Sequence, residues 1–358
     1  MKEILLVGKF TGLSGAILLL VQLLLISWGK KTKLHKINGK IAFTFILVHV
    51  ASMFYIYGLS VSKIDDVLEA FIALLLLILI IFTSVFIRNK LKYEIWYSIH
   101  LLTYLAVLLA FSHQKTPFPV FWKSLYIFTF ANIFYFKFLK IVINFVRHKF
   151  KIEKIVQETS STVSVYITGN NIDKFVYEPG QYVVIRFLDK NLFWQAHPFS
   201  FSSMPGNTYL RLTIKNSGDF TSQLVTCHLT LGTYVVLDGP HGNFITSQSK
   251  LNKILLLAGG VGVTPLRALI EQFNILKKDV MMVYAIKNKD EILFAQELIK
   301  YKVKYVMGHL QKDNLKELVP DIASREVYIC GPEGFNQSMK QYAREFGVKY
   351  THLEEFST

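Results

Sequence analysis

The chain has few cysteines and, over two long stretches of its N-terminal part, no charged residue at all. Only Cys227 and Cys330 occur among 358 residues, which excludes a disulfide framework and a cysteine-rich metal centre. Residues 41–61 and 71–86 contain no Asp, Glu, Lys or Arg. Stretches of this kind are typical of segments buried in a bilayer. Internal repeats and low-complexity tracts are also absent from the sequence, which excludes repeat architectures.

Apolar residues are concentrated in the first 148 residues, where five segments approach the length of a membrane span. The mean hydropathy is +0.35, and 52% of the residues are hydrophobic. A helix needs about 20 apolar residues to cross the hydrocarbon core. The predicted spans are Ile4–Ile26, Leu34–Leu59, Val67–Ile87, Ile95–His113 and Val120–Leu139. The first could instead be a signal peptide, but its apolar run is long and no small-residue cleavage site follows it, so a helix is favoured.

The chain has a net charge of +15. The positions of its basic residues indicate a membrane topology and do not indicate nucleic-acid binding. Basic residues crowd the loops after the first and third spans and the segment after the last. They are Lys30, Lys31, Lys33, Lys36, Lys40, Arg88, Lys90, Lys92, Lys140, Arg147, Lys149 and Lys151. Basic loops favour the cytoplasmic side of a membrane. We therefore expect a multi-pass protein of the plasma membrane, with its N-terminus outside and everything after residue 148 in the cytoplasm.

Two pairs of histidines lie within the apolar segments and are the most informative residues of the chain. A lone intramembrane histidine is usually a hydrogen-bonded core residue. Neutral imidazole is also a common iron ligand, and bis-histidine ligation needs one ring on each face of a haem. Helical rise separates His35 from His49 by ~21 Å and His100 from His113 by ~19.5 Å. Two pairs on alternate spans predict an inner haem on His35 and His100 and an outer haem on His49 and His113.

The helical phase of the two pairs differs. Fourteen residues bring His49 back to within ~40° of the face that carries His35. Thirteen residues place His113 roughly 140° away from His100 in an ideal helix. The second pair therefore requires a tilt of the helix or a local distortion of the π type.

After residue 150 the pattern changes to short strands in which apolar residues alternate. Strands over 162–167, 182–187 and 209–214 predict an antiparallel barrel. The motif His197-Pro198-Phe199-Ser200 follows the second strand, and taken alone it could be a strand end at a proline. After the third strand, Lys215 and the backbone N–H groups around Gly218 could neutralise a pyrophosphate. The alternative for Lys215 is a solvated strand residue.

A third region carries the pattern of a buried parallel sheet. The apolar run 253–258 leads into a loop and then an apolar-periodic helix over 266–273; the loop reads Gly259-Gly260-Val261-Gly262-Val263-Thr264-Pro265. Glycines let a loop approach a pyrophosphate at a helix N-terminus. Thr264 suits the N-cap position and Pro265 the first helical position.

Further predicted strands are 280–286, 303–307 and 327–330, which indicate a doubly wound α/β sheet. The last strand ends in Cys330-Gly331-Pro332, where the alternative for Cys330 is a buried structural residue.

In combination these motifs resemble those of the ferric reductase and NADPH oxidase superfamily of transmembrane flavocytochromes, whose cytoplasmic half is similar to ferredoxin–NADP reductases. The resemblance implies a multidomain membrane protein. Its predicted domains are a five-helix transmembrane haem domain (1–148), an FAD-binding β-barrel (149–248) and an NAD(P)-binding α/β domain (249–358). Family members commonly have six spans.

The resemblance also assigns site residues. It places His197, Pro198, Phe199, Ser200, Lys215, Gly218 and Thr221 against FAD. It places Gly259, Gly260, Gly262, Thr264, Pro265, Lys287, Cys330, Gly331 and Pro332 against NAD(P)H. Cys330 would lie beside the nicotinamide, and Phe356 would stack on the flavin ring and be displaced by the nicotinamide.

The function that the resemblance implies is electron transfer from cytoplasmic NAD(P)H through FAD and two b-type haems to an external acceptor. Thirteen residues lie between His35 and His49, and twelve lie between His100 and His113. This spacing is the pattern of the oxidase branch. The expected acceptor is therefore dioxygen, giving superoxide, and ferric chelate is the alternative. Oxidases often carry a second histidine where this chain has Met53. Lys287 stands where oxidases place an arginine for the 2′-phosphate, which favours NADPH.

A haem redox sensor, or an electron-transfer subunit for another protein, is a different class of interpretation. The apparently complete hydride-accepting module argues against it, because a pure relay does not need one. No obligatory protein partner is predicted.

Overall fold

The computed structural model describes the chain except for residues 29–31, 59–63, 92, 115, 117, 194, 227–228 and 356–358. Cys227, Phe356 and the end of the second predicted span therefore lie outside the described residues. The chain divides into two compact units, Met1–Lys140 and Ile141–Thr358.

The first unit is a helical bundle, and among the described residues five helices are long and apolar enough to cross a membrane. The helices are α1 (Lys2–Ser27), α2 (Thr32–Tyr57), α3 (Ile64–Val85), α4 (Tyr93–Ser112) and α5 (Pro119–Phe134). A π-helical turn, Tyr135–Leu139, joins α5 to α6 (Lys140–His148). Helix α1 packs on α2, and α3 packs on α4. All five predicted spans are confirmed as helices, because long runs of Leu, Ile and Phe without interior proline satisfy the backbone within each segment.

The second unit begins with six strands in two antiparallel sheets. The strands are β1 (Lys151–Thr159), β2 (Thr162–Thr168), β3 (Tyr182–Phe187), β4 (His197–Ser200), β5 (Leu210–Lys215) and β6 (Val235–His241). The sheet orders are β1-β2-β5 and β4-β3-β6. Bridges at Lys151–Tyr234 and Phe201–Leu212 lie outside the named pairings. Among the described strands the predicted antiparallel architecture is confirmed without a closed barrel. One reason is that β4 is short and contains Pro198, which has no N–H to donate.

The remaining strands form one parallel sheet in the order β11-β10-β7-β8-β9. They are β7 (Lys253–Gly259), β8 (Asp279–Ile286), β9 (Val303–Met307), β10 (Glu326–Gly331) and β11 (Thr351–Glu355). The helices of the second unit after α6 are α7 (Asp219–Thr226), α8 (Val263–Ile275), α9 (Ala295–Leu298), α10 (Lys312–Leu318) and α11 (Glu333–Glu345). Apolar clusters line both faces of this sheet, as expected for a doubly wound fold.

The predicted start of α8 was wrong. The helix begins at Val263, directly after a 3₁₀ turn over Gly260–Gly262. Thr264 therefore lies inside the first turn, where its hydroxyl donates to the carbonyl of Val261 at 2.9 Å. The 3₁₀ turn continues into the helix, so the N-cap position belongs to Gly262.

Candidate functional site

The four intramembrane histidines meet in the predicted pairs. The ring centroids of His35 and His100 are 6.0 Å apart, and those of His49 and His113 are 6.4 Å apart. Imidazole–metal bonds of about 2 Å place two rings on opposite sides of one metal ion with centroids roughly 6 Å apart. The Nδ1 atoms of His35 and His113 are buried and have no hydrogen-bond partner. The spacing and the chemistry of these residues fit one iron between each pair.

His113 reaches its partner without a distortion of α4. The helix is regular from Tyr93 to Ser112, and His113 occupies the turn that follows it. The predicted π-type distortion is therefore absent from α4, and the alternative, a tilt of the helix, stays a prediction. A residue after the last helical position is not held to the helix's rotation of 100° per residue. His113 can therefore face His49 although it follows His100 by only thirteen positions. The π turn of the bundle lies elsewhere, at Tyr135–Leu139.

Polar side chains that the sequence pattern did not indicate surround the inner pair, His35 and His100. Gln22 on α1 contacts His35, with its Nε2 atom 3.1 Å from the ring Nε2. The Asn38 side-chain amide donates to the Oε1 atom of Gln22 at 2.8 Å. Trp96 stacks on His100 with centroids 5.1 Å apart. Amide side chains within an apolar span are the signal that could have revealed this cluster, because they are costly there without a role.

The predicted flavin motif forms strand β4. The His197 ring stacks on Phe220 of α7, with centroids 4.0 Å apart and an interplanar angle of 22°. Pro198 is exposed, Phe199 is half-buried, and Ser200 is buried and pairs with Tyr182 on β3. The strand is the outer one of its sheet and carries an exposed proline between two half-buried aromatic rings, which suit a flat ring system.

The predicted pyrophosphate loop follows β5 and is organised by one hydroxyl. The N–H groups of Ser217 and Gly218 both donate to Thr221 Oγ1 at 2.9 Å. Lys215 is half-buried, and its Nζ lies 3.0 Å from Glu291 Oε2. Lys215 ends β5, and the N–H groups of Ser217 and Gly218, which were expected to face a pyrophosphate, are bonded to Thr221 within the loop. The contact of these residues with a pyrophosphate stays a prediction. Glu291 is a partner of Lys215 that the sequence did not indicate.

The glycine loop after β7 lies against the Cys330-Gly331 turn. A Cβ atom on Gly262 would be 2.1 Å from the Cys330 carbonyl oxygen, so only glycine fits there. Gly260 has a φ of +52°, which also favours glycine. A Cβ on Gly259 would meet the Phe335 ring at 2.9 Å. The loop and the turn meet at the carboxyl edge of the parallel strands, which is where open α/β sheets bind ligands.

Pro265 and Pro332 flank this meeting point, whereas Lys287 does not contribute to it. Pro265 is buried in the first turn of α8, and Pro332 immediately precedes α11. Lys287 is exposed directly after β8. The structure thus brings the glycines together with the cysteine turn and leaves Lys287 on the surface of the same edge.

Cys330 and Glu354 are register partners on neighbouring parallel strands. Cys330 is fully buried, and burial together with the nearby charge of Glu354 raises the pKa of its thiol well above the usual value. Burial, and then the charge of Glu355, raises the pKa of Glu354 to about 7. A cavity of about 410 Å³ is lined by Asn243, Phe244 and Thr351–Glu354. Glu354 was missed in the sequence, where its position two residues before Phe356 was the available signal.

An ion cluster joins the antiparallel sheets to the parallel sheet. Arg211 on β5 forms hydrogen bonds with both carboxylate oxygens of Glu297 on α9, at 2.5 and 3.1 Å. Arg267 on α8 donates to the same carboxylate at 2.6 Å. Both arginines also donate to the carbonyl of Ser202. Burial raises the pKa of Glu297, but the hydrogen bonds and charges of the arginines outweigh it and lower the pKa below its usual value.

Comparison with known domain families divides the chain into three consecutive parts. Residues 6–111 match the ferric reductase like transmembrane component. Residues 145–246 match an FAD-binding domain, and residues 256–341 match an oxidoreductase NAD-binding domain.

Individual relatives match the chain over little more than half of its length. The NADH oxidoreductase HCR of Escherichia coli is 29% identical over 59% of this chain and 68% of its own length. The glycine betaine monooxygenase reductase subunit of Chromohalobacter salexigens is 27% identical over 59% of this chain and 64% of its own. The chain thus spans about two thirds of the length of these relatives.

A solved structure has the same fold over the reductase part. It is the flavohem-like FAD/NAD binding domain of a nitric oxide dioxygenase from Vibrio cholerae, with a TM-score of 0.51 and 23% identity. The match covers 57% of this chain and 96% of that domain. Together the three components, in this order along the chain, match a ferric reductase and NADPH oxidase-like flavocytochrome with a reductase module of the ferredoxin–NADP reductase type.

Proposed function

We propose that this protein carries electrons from NAD(P)H in the cytoplasm through FAD and two b-type haems to dioxygen outside the cell, producing superoxide. The observation that carries the proposal is the spacing of the two histidine pairs, 6.0 Å and 6.4 Å between ring centroids. A bundle that brings histidines together in two successive pairs would offer two sets of iron ligands in series. An NAD-binding and an FAD-binding component on the same chain supply a source of electrons for them.

A bound FAD would supply hydride acceptance and single-electron release, and two bound haems would supply a relay for those electrons across the bilayer. The chain's own residues hold and orient these groups. The β4 strand His197–Ser200 would receive the flavin ring, and Lys215 with the loop to Thr221 would bind its pyrophosphate. The glycine loop 259–262 and the turn 330–332 would bind the dinucleotide. Phe356, outside the described residues, would cover the flavin face.

Glu354 adds a proton-holding group to this arrangement. Its pKa of about 7 means that the carboxyl exists in both protonation states near neutral pH. A carboxyl with such a pKa can hold or release a proton beside the Cys330 thiol, which stays protonated because burial raises its pKa. We propose that Cys330 and Glu354 shape the nicotinamide site together.

The final electron acceptor distinguishes two activities, a superoxide-forming oxidase and a ferric reductase. Dioxygen is small and neutral, so it needs no shaped site to take an electron from a haem edge. Ferric chelate is the second candidate because residues 6–111 match a ferric reductase like component and Met53 stands where an oxidase often has histidine.

Steady-state assays with the purified full-length protein test the acceptor. We expect NAD(P)H oxidation in aerobic buffer to produce superoxide, detected with a reporter that superoxide dismutase suppresses. Negligible turnover with oxygen and rapid turnover with ferric citrate would establish the ferric reductase instead. Turnover that requires an added partner protein would support an electron-transfer subunit.

Nucleotide preference depends on Lys287, which is exposed at the carboxyl end of β8. A cation there would attract the 2′-phosphate of NADPH as a point charge. We expect Lys287→Ala to raise the KM for NADPH roughly 10-fold, the equivalent of about 1.4 kcal/mol, and to leave the KM for NADH unchanged. Equal effects on the two nucleotides would contradict the assignment.

The orientation in the membrane follows from charge placement. Basic residues cluster after α1, after α3 and around α6, so these ends are proposed to lie in the cytoplasm and the N-terminus outside. A plasma-membrane location fits an external acceptor. Accessibility labelling of single cysteines introduced after α2 and after α3 in intact cells would test this orientation.

A further inference from the structure

We propose that helix α1 positions His49 as an iron ligand: the Gly8 carbonyl binds the Nδ1 side of the ring, and Gly12 provides the space the ring occupies. This inference rests on the proposed function, because it takes His49 and His113 as the ligands of the outer haem. It adds two positioning residues that carry no functional side chain.

The hydrogen bond determines which nitrogen of His49 is available to iron. His49 Nδ1 lies 2.7 Å from the carbonyl oxygen of Gly8. A carbonyl oxygen can only accept a hydrogen bond, so Nδ1 must carry the proton. In a neutral ring the lone pair is then on Nε2, which is the nitrogen left to bind a metal. Metal-binding histidines commonly donate their other ring N–H to a carbonyl in this way.

Gly12 makes the approach of the ring possible. It lies one helical turn after Gly8, on the same face of α1. A Cβ atom at position 12 would be 2.6 Å from His49 Nδ1 and 2.8 Å from its Cε1. Both distances are far shorter than a van der Waals contact, so even alanine would push the ring away. A displaced ring cannot keep both the 2.7 Å hydrogen bond and an iron bond on its opposite side.

Gly15 is a matched control on the same helix. A Cβ atom there would be 3.1 Å from the Ile46 Cγ1 atom, and it contacts no histidine. Ile46 needs to move by only a few tenths of an ångström to accept this contact. Gly15→Ala therefore adds the same methyl group to the same interface between α1 and α2 without touching His49.

The experiment compares Gly12→Ala, Gly15→Ala and the unaltered chain as purified full-length proteins in detergent. The haem-to-FAD ratio, the reduced absorption spectrum and the midpoint potentials are measured for each. Loss of a partner that orients a metal-bound histidine weakens metal affinity by about 10- to 100-fold. We expect Gly12→Ala to retain the outer haem correspondingly less well and Gly15→Ala to retain both haems. The haem that remains in Gly12→Ala should have the spectrum and potential of the haem left in His113→Leu.

The outcomes separate this inference from the proposed function. Unchanged haem content and potentials in Gly12→Ala would overturn the inference while leaving the two-haem proposal intact. Loss of both haems, or equal loss in Gly15→Ala, would also overturn it, because α1 would then act through general packing. A wild-type protein with fewer than two haems would remove the proposed function and this inference together.

Discussion

At the scale of single residues, Glu354 differs most clearly from a surface carboxylate, because its surroundings raise its pKa. It lies on the edge strand β11 beside Cys330, in a half-buried position that disfavours its charged form. Strain or catalysis is not needed to explain its pKa of about 7, because burial and the neighbouring Glu355 suffice. The same proximity to Cys330 makes Glu354 part of the candidate nicotinamide site.

Glu354→Gln should change how stability depends on pH. The pKa of Glu354 is higher in the folded protein than the usual value of 4.5, so the folded state holds the proton more tightly than the unfolded state. Stability is therefore lost as pH rises from about 4.5 to about 7, by roughly 2 kcal/mol once solvent screening is allowed for. We expect Glu354→Gln to remove that loss in thermal unfolding measured across this range. Glu317→Gln, an exposed carboxylate of α10, should retain the wild-type profile, and an unchanged profile in Glu354→Gln would contradict the assignment.

Lys215 tests the flavin assignment, also at the scale of one residue. Its ammonium group is held 3.0 Å from Glu291 and beside the loop that Thr221 organises. A hydrogen bond to a charged group contributes about 1.5–3 kcal/mol, so Lys215→Ala should weaken FAD binding roughly 10- to 100-fold. Flavin fluorescence in an equilibrium titration gives the dissociation constant.

The control for Lys215 is Lys253→Ala, which removes another paired lysine at the start of β7. Its FAD affinity should match that of the unaltered protein. Equal weakening in both variants would show that net charge, and not a pyrophosphate contact, sets the affinity.

At the scale of elements, the Arg211–Glu297–Arg267 cluster connects β5 to α8 and α9. It holds the segment after β8 against the antiparallel sheets, and Lys215–Glu291 adds a second contact between the same parts. These contacts therefore connect the segment after β8, where Lys287 is proposed to bind the nucleotide phosphate, to β5, which precedes the proposed flavin loop.

Removing the carboxylate should destabilise this connection. Glu297→Gln leaves the guanidinium of Arg211, which is 4% exposed, without its counter-charge. Breaking a fully buried pair costs about 3–5 kcal/mol, and the loss here is smaller because Glu297 is 31% exposed. The contribution is fully present above the usual glutamate pKa of 4.5 and is lost as pH falls through the lower pKa that Glu297 has in the folded state. Denaturant unfolding at pH 7 measures the loss. Lys302→Ala breaks an exposed pair at 3.7 Å and should change stability by less than about 1 kcal/mol; a comparable loss in both variants would contradict the role of the cluster.

Elements with strong periodicity could be predicted from the sequence, and those shaped by neighbours could not. The five spans and the strands Tyr182–Phe187 and Val303–Met307 were predicted closely, because uninterrupted or alternating apolar residues specify one structure. Strand β11 was missed, since its sequence alternates weakly and it pairs only with β10. The start of α8 was misplaced because a 3₁₀ turn precedes it.

The candidate site likewise has features that could be predicted from the sequence and features that could not. Histidine pairing could be predicted from composition and spacing, whereas the position of His113 in a turn depends on where α4 ends. The glycine loop was recognisable, but its contact with Cys330 depends on the parallel register of β7 and β10. Gln22, Trp96 and Glu354 were missed because each matters only through a neighbour that is distant in sequence or on another strand.

At the scale of the whole molecule, the chain combines a membrane bundle with a reductase module. Each part alone is compatible with several functions: paired histidines with a haem sensor, and the reductase module with a soluble oxidoreductase. Their presence on one chain is what favours transmembrane electron transfer. The central claim is therefore that electrons from NAD(P)H reach two haems in series within a single protein.

An anaerobic titration of the purified protein with NADPH, followed by visible absorption, tests that claim most directly. The account predicts two b-type haems per FAD, both reduced by NADPH without any added protein. It predicts that His100→Leu keeps only the outer haem and that NADPH no longer reduces this haem, although dithionite does. Retention of two haems in His100→Leu, or continued reduction of the outer haem by NADPH in that variant, would contradict the account.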